Sequence, residues 1–156
     1  MKNVVRSSLA AIALIAASIT SAFAVGPDVN ATTTGLAIRG VDPVSYFTAG
    51  EPQEGKVNIT AIHNGATYRF TSEANRDAFK ANPAKYAPQF GGFCAYGTAK
   101  GVKVDGNPEL WKIVDDKLYL NLSKEVVKLW NEDVNGYIHE ANDNWTKIKD
   151  VDPSKL

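Results

Sequence analysis

The sequence predicts an α+β domain, two antiparallel β-hairpins packed with about four short helices, and three observations predict it. Asn64-Gly65 separates two runs, Val57 to His63 and Ala66 to Phe70, in which apolar and polar residues largely alternate. That dipeptide is favoured where both central turn residues need positive φ. Asp115-Asp116 divides a second pair of runs between Trp111 and Leu122. Finally, Ser72 and Ser123 stand where helix caps stand, and Val134, Ile138, Ala141 and Trp145 recur at helical spacing. Hairpins and helices in this proportion fold as α+β.

In chain order, Gly35 to Gly40 is a short apolar stretch between glycines. Asp42-Pro43 reads as a helix start, with Asp42 the cap and Pro43 the first helical residue. The brief helix carries Val44, Tyr46 and Phe47 and ends at Gly50. The first hairpin pairs His63 with Ala66, Ala61 with Tyr68 and Ile59 with Phe70, so Ile59, Ala61, Tyr68 and Phe70 share a core face. The helix capped by Ser72 buries Ala74, Ala78 and Phe79 and stops at Asn82-Pro83, and Pro83 to Tyr86 starts another turn. In the second hairpin Trp111 faces Leu120 and Ile113 faces Leu118. Lys112, Lys117 and Asn121 are then expected on the opposite face. A helix with Val126, Val127 and Trp130 follows, then the striped helix. Asn30, Asn58, Asn121 and Asn144 each open an N-x-Ser/Thr triplet, relevant only in a host that glycosylates exported chains.

Residues 1–24 read as a cleaved secretory signal. Lys2 and Arg6 precede an apolar run from Leu9 to Ile19, interrupted only by Ser18, and Ala22-Phe23-Ala24 supplies a small-x-small cleavage site before Val25. The run is short for a bilayer span. The chain is therefore expected to be periplasmic or secreted, without stable membrane insertion. About 130 residues remain, one ordinary domain with a modest core. Residues 25–34 read as a flexible leader, 35–146 as the domain and 147–156 as a C-terminal tail. The whole sequence has 17 Lys+Arg against 17 Asp+Glu. Removing Lys2 and Arg6 with the signal leaves 15 against 17, a net charge of −2. That balance argues against nucleic acid as a partner.

The chain has one cysteine, which excludes an internal disulfide. Cys94 is either a buried inert residue or a reactive or ligating thiol. It sits in Phe90-Gly91-Gly92-Phe93-Cys94-Ala95-Tyr96-Gly97, where paired glycines allow a sharp backbone turn. A short helix from Cys94 to Lys100 would aim unpaired N–H groups at the sulfur and favour thiolate. Phe90, Phe93, Tyr96, Tyr86 and Tyr68 could crowd around it as an apolar pocket, and burial would raise the thiol pKa. His63 lies beside a turn on an inward face, and His139 falls off the apolar stripe of the last helix. Neither has a His, Cys or carboxylate at ligand spacing.

Gly40-Val41-Asp42-Pro43-Val44, Asn64 to Phe70, Phe79 with Asn82-Pro83 and Tyr86, and Gly91-Gly92-Phe93-Cys94-Ala95-Tyr96 together resemble the YHS domain family. The chain looks most like its exported bacterial branch, which shares Leu118-Tyr119-Leu120-Asn121 and the Ala141 to Trp145 stretch. The resemblance spans about residues 35 to 146. It implies a small α+β domain that handles copper or another heavy metal. In similar exported proteins the position matching Cys94 can be selenocysteine, which implies a reactive thiol there. The metal-linked branch has further cysteines where this chain has Ser45 and Thr71-Ser72, so a multi-thiolate site lacks its partners. The resulting expectation is a thiol-based redox or metal-handling accessory protein centred on Cys94. Its site would include Gly91, Gly92, Phe93, Tyr96 and Tyr68, with His63 a weaker metal ligand and an unidentified redox or metal-transfer partner. The alternative is a non-catalytic module that binds a small ligand or a partner protein through the same pocket.

Overall fold

The computed structural model describes residues 25–156; the signal read in residues 1–24 lies outside them. Within the described residues the chain is α+β, with two two-stranded antiparallel sheets and six helices, against the four or so expected. The extra ones are single turns, and three helices reach seven residues or more.

The first turn of helix, α1 (Ser45–Thr48), follows Asp42. Strands β1 (Lys56–His63) and β2 (Ala66–Phe70) form the first hairpin, then come α2 (Glu73–Ala81) and α3 (Pro83–Tyr86). A 3-10 turn at Gln89–Gly92 leads to α4 (Ala95–Ala99). Strands β3 (Asn107–Val114) and β4 (Lys117–Asn121) form the second hairpin, followed by α5 (Lys124–Trp130) and α6 (Val134–Ile148). The turn chemistry is as expected: Asn64, Gly65, Asp115 and Asp116 all have positive φ. Ser72 and Ser123 accept the N–H groups of Asn75 and Val126 at 3.1 and 3.3 Å.

Both hairpins keep the expected pairing near their turns, His63 with Ala66 and Ala61 with Tyr68, Trp111 with Leu120 and Ile113 with Leu118. The expected Ile59–Phe70 pair does not form; the register slips and Phe70 pairs with Lys56. Two contacts accompany the slip. Asp42 Oδ2 takes the next N–H, that of Thr71, at 2.8 Å. Gly55 runs so close to β2 that a Cβ there would lie 2.5 Å from the Arg69 carbonyl carbon.

The expected cap is not at Asp42: Val44 is the N-cap of α1 and Pro43 precedes the helix, because the Asp42 carboxylate is engaged elsewhere. Fully buried, Asp42 accepts Val44 N–H on Oδ1 and three donors on Oδ2: Thr71 N–H, Thr71 Oγ1–H and Asn75 Nδ2–H, at 2.7 to 2.8 Å. One carboxylate thus ties the first helical turn to the end of β2 and the start of α2.

The core has two parts, and β4 separates them. Leu118 and Leu120 pack with Val44, Tyr46, Tyr68, Phe70 and Phe79, whereas Tyr119 packs with Phe90, Trp130 and Ala141. A strand covered on both faces reverses the expected placement of Asn121, which is 2% exposed rather than solvated.

The two flanks also pack rather than hang free. Asn30 N–H donates to Gly91 O at 2.9 Å, and Val29 is buried. The buried Lys103 ammonium donates to Pro27 O at 2.8 Å, to Lys149 O at 3.0 Å and to Val151 O. Residues 25–34 are thus not a loose leader, and Ile148 in the expected tail is buried at the end of α6.

Candidate functional site

Cys94 is the N-cap of α4, and its sulfur accepts Gly97 N–H at 3.4 Å. The local geometry follows from the residues beside it. Gly91 and Gly92 both have positive φ, and a Cβ on Gly91 would lie 1.8 Å from Asp28 O. Only glycine lets the chain turn there while residues 28–30 run alongside. Cys94 N–H then donates to Val104 O at 2.9 Å, and Cys94 bridges to Leu120 of β4.

From β4 comes a partner that sequence reasoning placed on the wrong face. Asn121 Oδ1 accepts Tyr96 N–H at 3.2 Å and lies 3.6 Å from Cys94 Sγ, which donates to it. The signal was present: Leu118, Tyr119 and Leu120 are apolar at both strand parities, the pattern of a strand buried on both faces.

Cys94 is 1% exposed. Burial pushes its thiol up, and the N–H groups of Gly97, Leu122 and Tyr96 pull the other way without reversing it. The N–H groups expected to favour thiolate are in place, but desolvation outweighs them.

The aromatic residues expected around the sulfur do not all share one half of the core. Tyr68 lies in the other half of the core, its ring 4.8 Å from Phe79. Tyr96 packs edge-on against Tyr137 at 5.0 Å. Phe93 faces Trp145, and Gly92 O accepts Asn30 Nδ2–H at 3.2 Å. His139 is exposed beside Asp143 on α6. Among the described residues no three His, Cys, Asp or Glu side chains gather into a metal-holding group.

What the fold does bring together is a cleft of about 260 Å³ next to Gly91, lined by Asp28, His63, Tyr68, Pro88, Trp145 and Lys149 among others. The His63 ring stands edge-on to Phe79 at 5.7 Å and 6.3 Å from Tyr68. Burial lowers the His63 pKa, opposed in part by the Asp28 carboxylate, so the ring is neutral at neutral pH. Tyr68 is 2% exposed, and burial with the field of Asp28 pushes its hydroxyl up to about 12. Among the described residues that hydroxyl has no hydrogen-bond partner, yet Trp130 Nε1 is the one fully enclosed polar side-chain atom left unpaired. The Tyr68 oxygen is therefore open to the cleft it lines.

Compared with known proteins, the chain matches no family model, no curated protein and no solved structure. Among the described residues no helix is long and apolar enough to cross a membrane.

Proposed function

We propose that the chain is an exported YHS-type domain that binds a small polar molecule in the His63–Tyr68–Trp145 cleft without transforming it. The observation that carries this reading is the Tyr68 hydroxyl, whose ring is buried while its oxygen opens, unpartnered, onto a preformed concavity. With no protein partner, that oxygen takes its hydrogen bond from whatever occupies the cleft, water or ligand. The function resides in the periplasm or outside the cell, after cleavage before Val25. Cys94 is then a structural thiol that fastens α4 to β4.

A second reading, thiol redox or metal handling at Cys94, is favoured by the N–H groups aimed at the sulfur and by the family resemblance. It requires the sulfur to become accessible. A copper or similar ion would need ligands from outside the residues around Cys94, such as those of a transfer partner.

Alkylation of the native protein separates the two. The binding reading expects Cys94 to react only as fast as the fold opens, at a rate set by denaturant. It also expects polar metabolites to raise the melting temperature of the wild type but not of Tyr68→Phe. Rapid alkylation of the native protein at neutral pH, with no stabilising metabolite, would put the thiol reading first.

A further inference from the structure

Two residues of opposite charge, Asp28 and Lys149, line the cleft and form no ion pair with one another. Among the described residues, neither the Asp28 carboxylate nor the exposed Lys149 ammonium takes part in a side-chain hydrogen bond or an ion pair within 4.0 Å. Asp28 and Lys149 line the same small cavity as Tyr68 and His63, and the Asp28 charge reaches both; the His63 nitrogens have no hydrogen-bond partner among the described residues either. Trp145 and Pro88 supply apolar wall. An anion alone would meet Asp28, and a cation alone would meet Lys149. A molecule carrying both charges a few ångströms apart meets each with its complement.

We infer that the cleft recognises a small zwitterion of the free α-amino acid class, with its ammonium toward Asp28, its carboxylate toward Lys149 and Tyr68, and its side chain against Trp145. The volume fits this class, since about 260 Å³ lies just under the roughly 300 Å³ at which drug-sized sites begin. The Tyr68 hydroxyl stays protonated far above neutral pH, so it serves as a donor to a carboxylate. His63, neutral at that pH, adds a ring nitrogen without a competing charge. The inference rests on the binding reading above and narrows its ligand.

The test uses protein expressed from the full chain. Free α-amino acids are titrated one at a time by saturation-transfer NMR and by Trp fluorescence. Parallel arms use the N-acetyl and methyl-ester derivatives of each binder, n-butylamine and n-butyrate. At least one amino acid should bind with Kd below about 1 mM. Removing either charge from it, or making Asp28→Asn, should weaken binding about tenfold. Tyr68→Phe should weaken it several-fold while leaving the melting temperature of the free protein within about 2 °C. If n-butylamine or n-butyrate binds as tightly as any amino acid, and Tyr68→Phe weakens it, the zwitterion inference is overturned and the cleft remains a binding site. If no probe binds at about 10 mM, or if binding ignores Tyr68 and Asp28, the zwitterion inference is overturned; the metabolite screen, which does not depend on ligand class, then decides the broader reading.

Discussion

The carboxamide oxygen of Asn121 sits between Cys94 Sγ at 3.6 Å and Tyr96 N at 3.2 Å, joining the last residue of β4 to the first turn of α4. Both donors are shielded, so the oxygen has no water to replace it. Asn121→Ala should cost about 2 kcal/mol, from two orphaned donors and a small void. Urea denaturation at constant m reads the loss. The same variant should speed alkylation of Cys94 in the folded protein, because the void opens beside the sulfur. An unchanged midpoint would show that the contact is incidental.

Cys94 should also make the protein sensitive to alkali. Its folded pKa is raised by burial, while an unfolded thiol titrates near about 8.5. Above that value unfolded chains have released the proton and folded ones still hold it. Stability is thus complete below about pH 8.5 and declines as pH rises toward the folded value. Urea midpoints measured between about pH 7.5 and 9.5 should fall for the wild type and stay flat for Cys94→Ala. Tyr68, pushed up to about 12, adds a loss of the same sign only above about pH 10. Equal slopes in the two proteins would mean the thiol titrates normally.

Asp42 should be the most sensitive single polar position. Replacing it with Asn keeps the volume but turns an acceptor of Thr71 and Asn75 into a donor facing donors. About 3 kcal/mol of stability should be lost. Thr71→Val, which removes only the hydroxyl bond, should cost about 1 kcal/mol. Comparable losses in the two variants would contradict the convergence of the three donors on one carboxylate oxygen.

What could be read in the sequence was local. Asn64-Gly65 and Asp115-Asp116 declare their turns because few residues accept positive φ at adjacent positions. Ser72, Ser123 and the Val134–Trp145 stripe declare their helices by capping and period. Interactions across the chain were not legible. Asp42 reaches partners 29 and 33 positions away, and an Asp before Pro looks like a helix cap whether or not it does so. Asn121 was placed by alternation, which assumes one wet face, and α4, α5 and α6 cover that face. The Pro, Asp and Thr content of residues 25–34 predicts a loose segment. Its docking depends on the bare α-carbon of Gly91, some sixty residues on. Tyr68, grouped with Phe90 and Tyr96 by composition, falls in the other half of the core and lines a cleft with His63 and Trp145 instead.

The Lys103 ammonium, held by carbonyls of Pro27, Lys149 and Val151, brings the start and finish of the described chain to a single nitrogen atom. The two ends of the described chain therefore lie close together. A short glycine linker from Leu156 back to Val25 would complete the circuit, with a new opening cut at the exposed Asp115-Asp116 turn. Such a rewired chain should keep the same architecture and lose only the connectivity of one hairpin, which makes strand order and residue order separable properties of this protein.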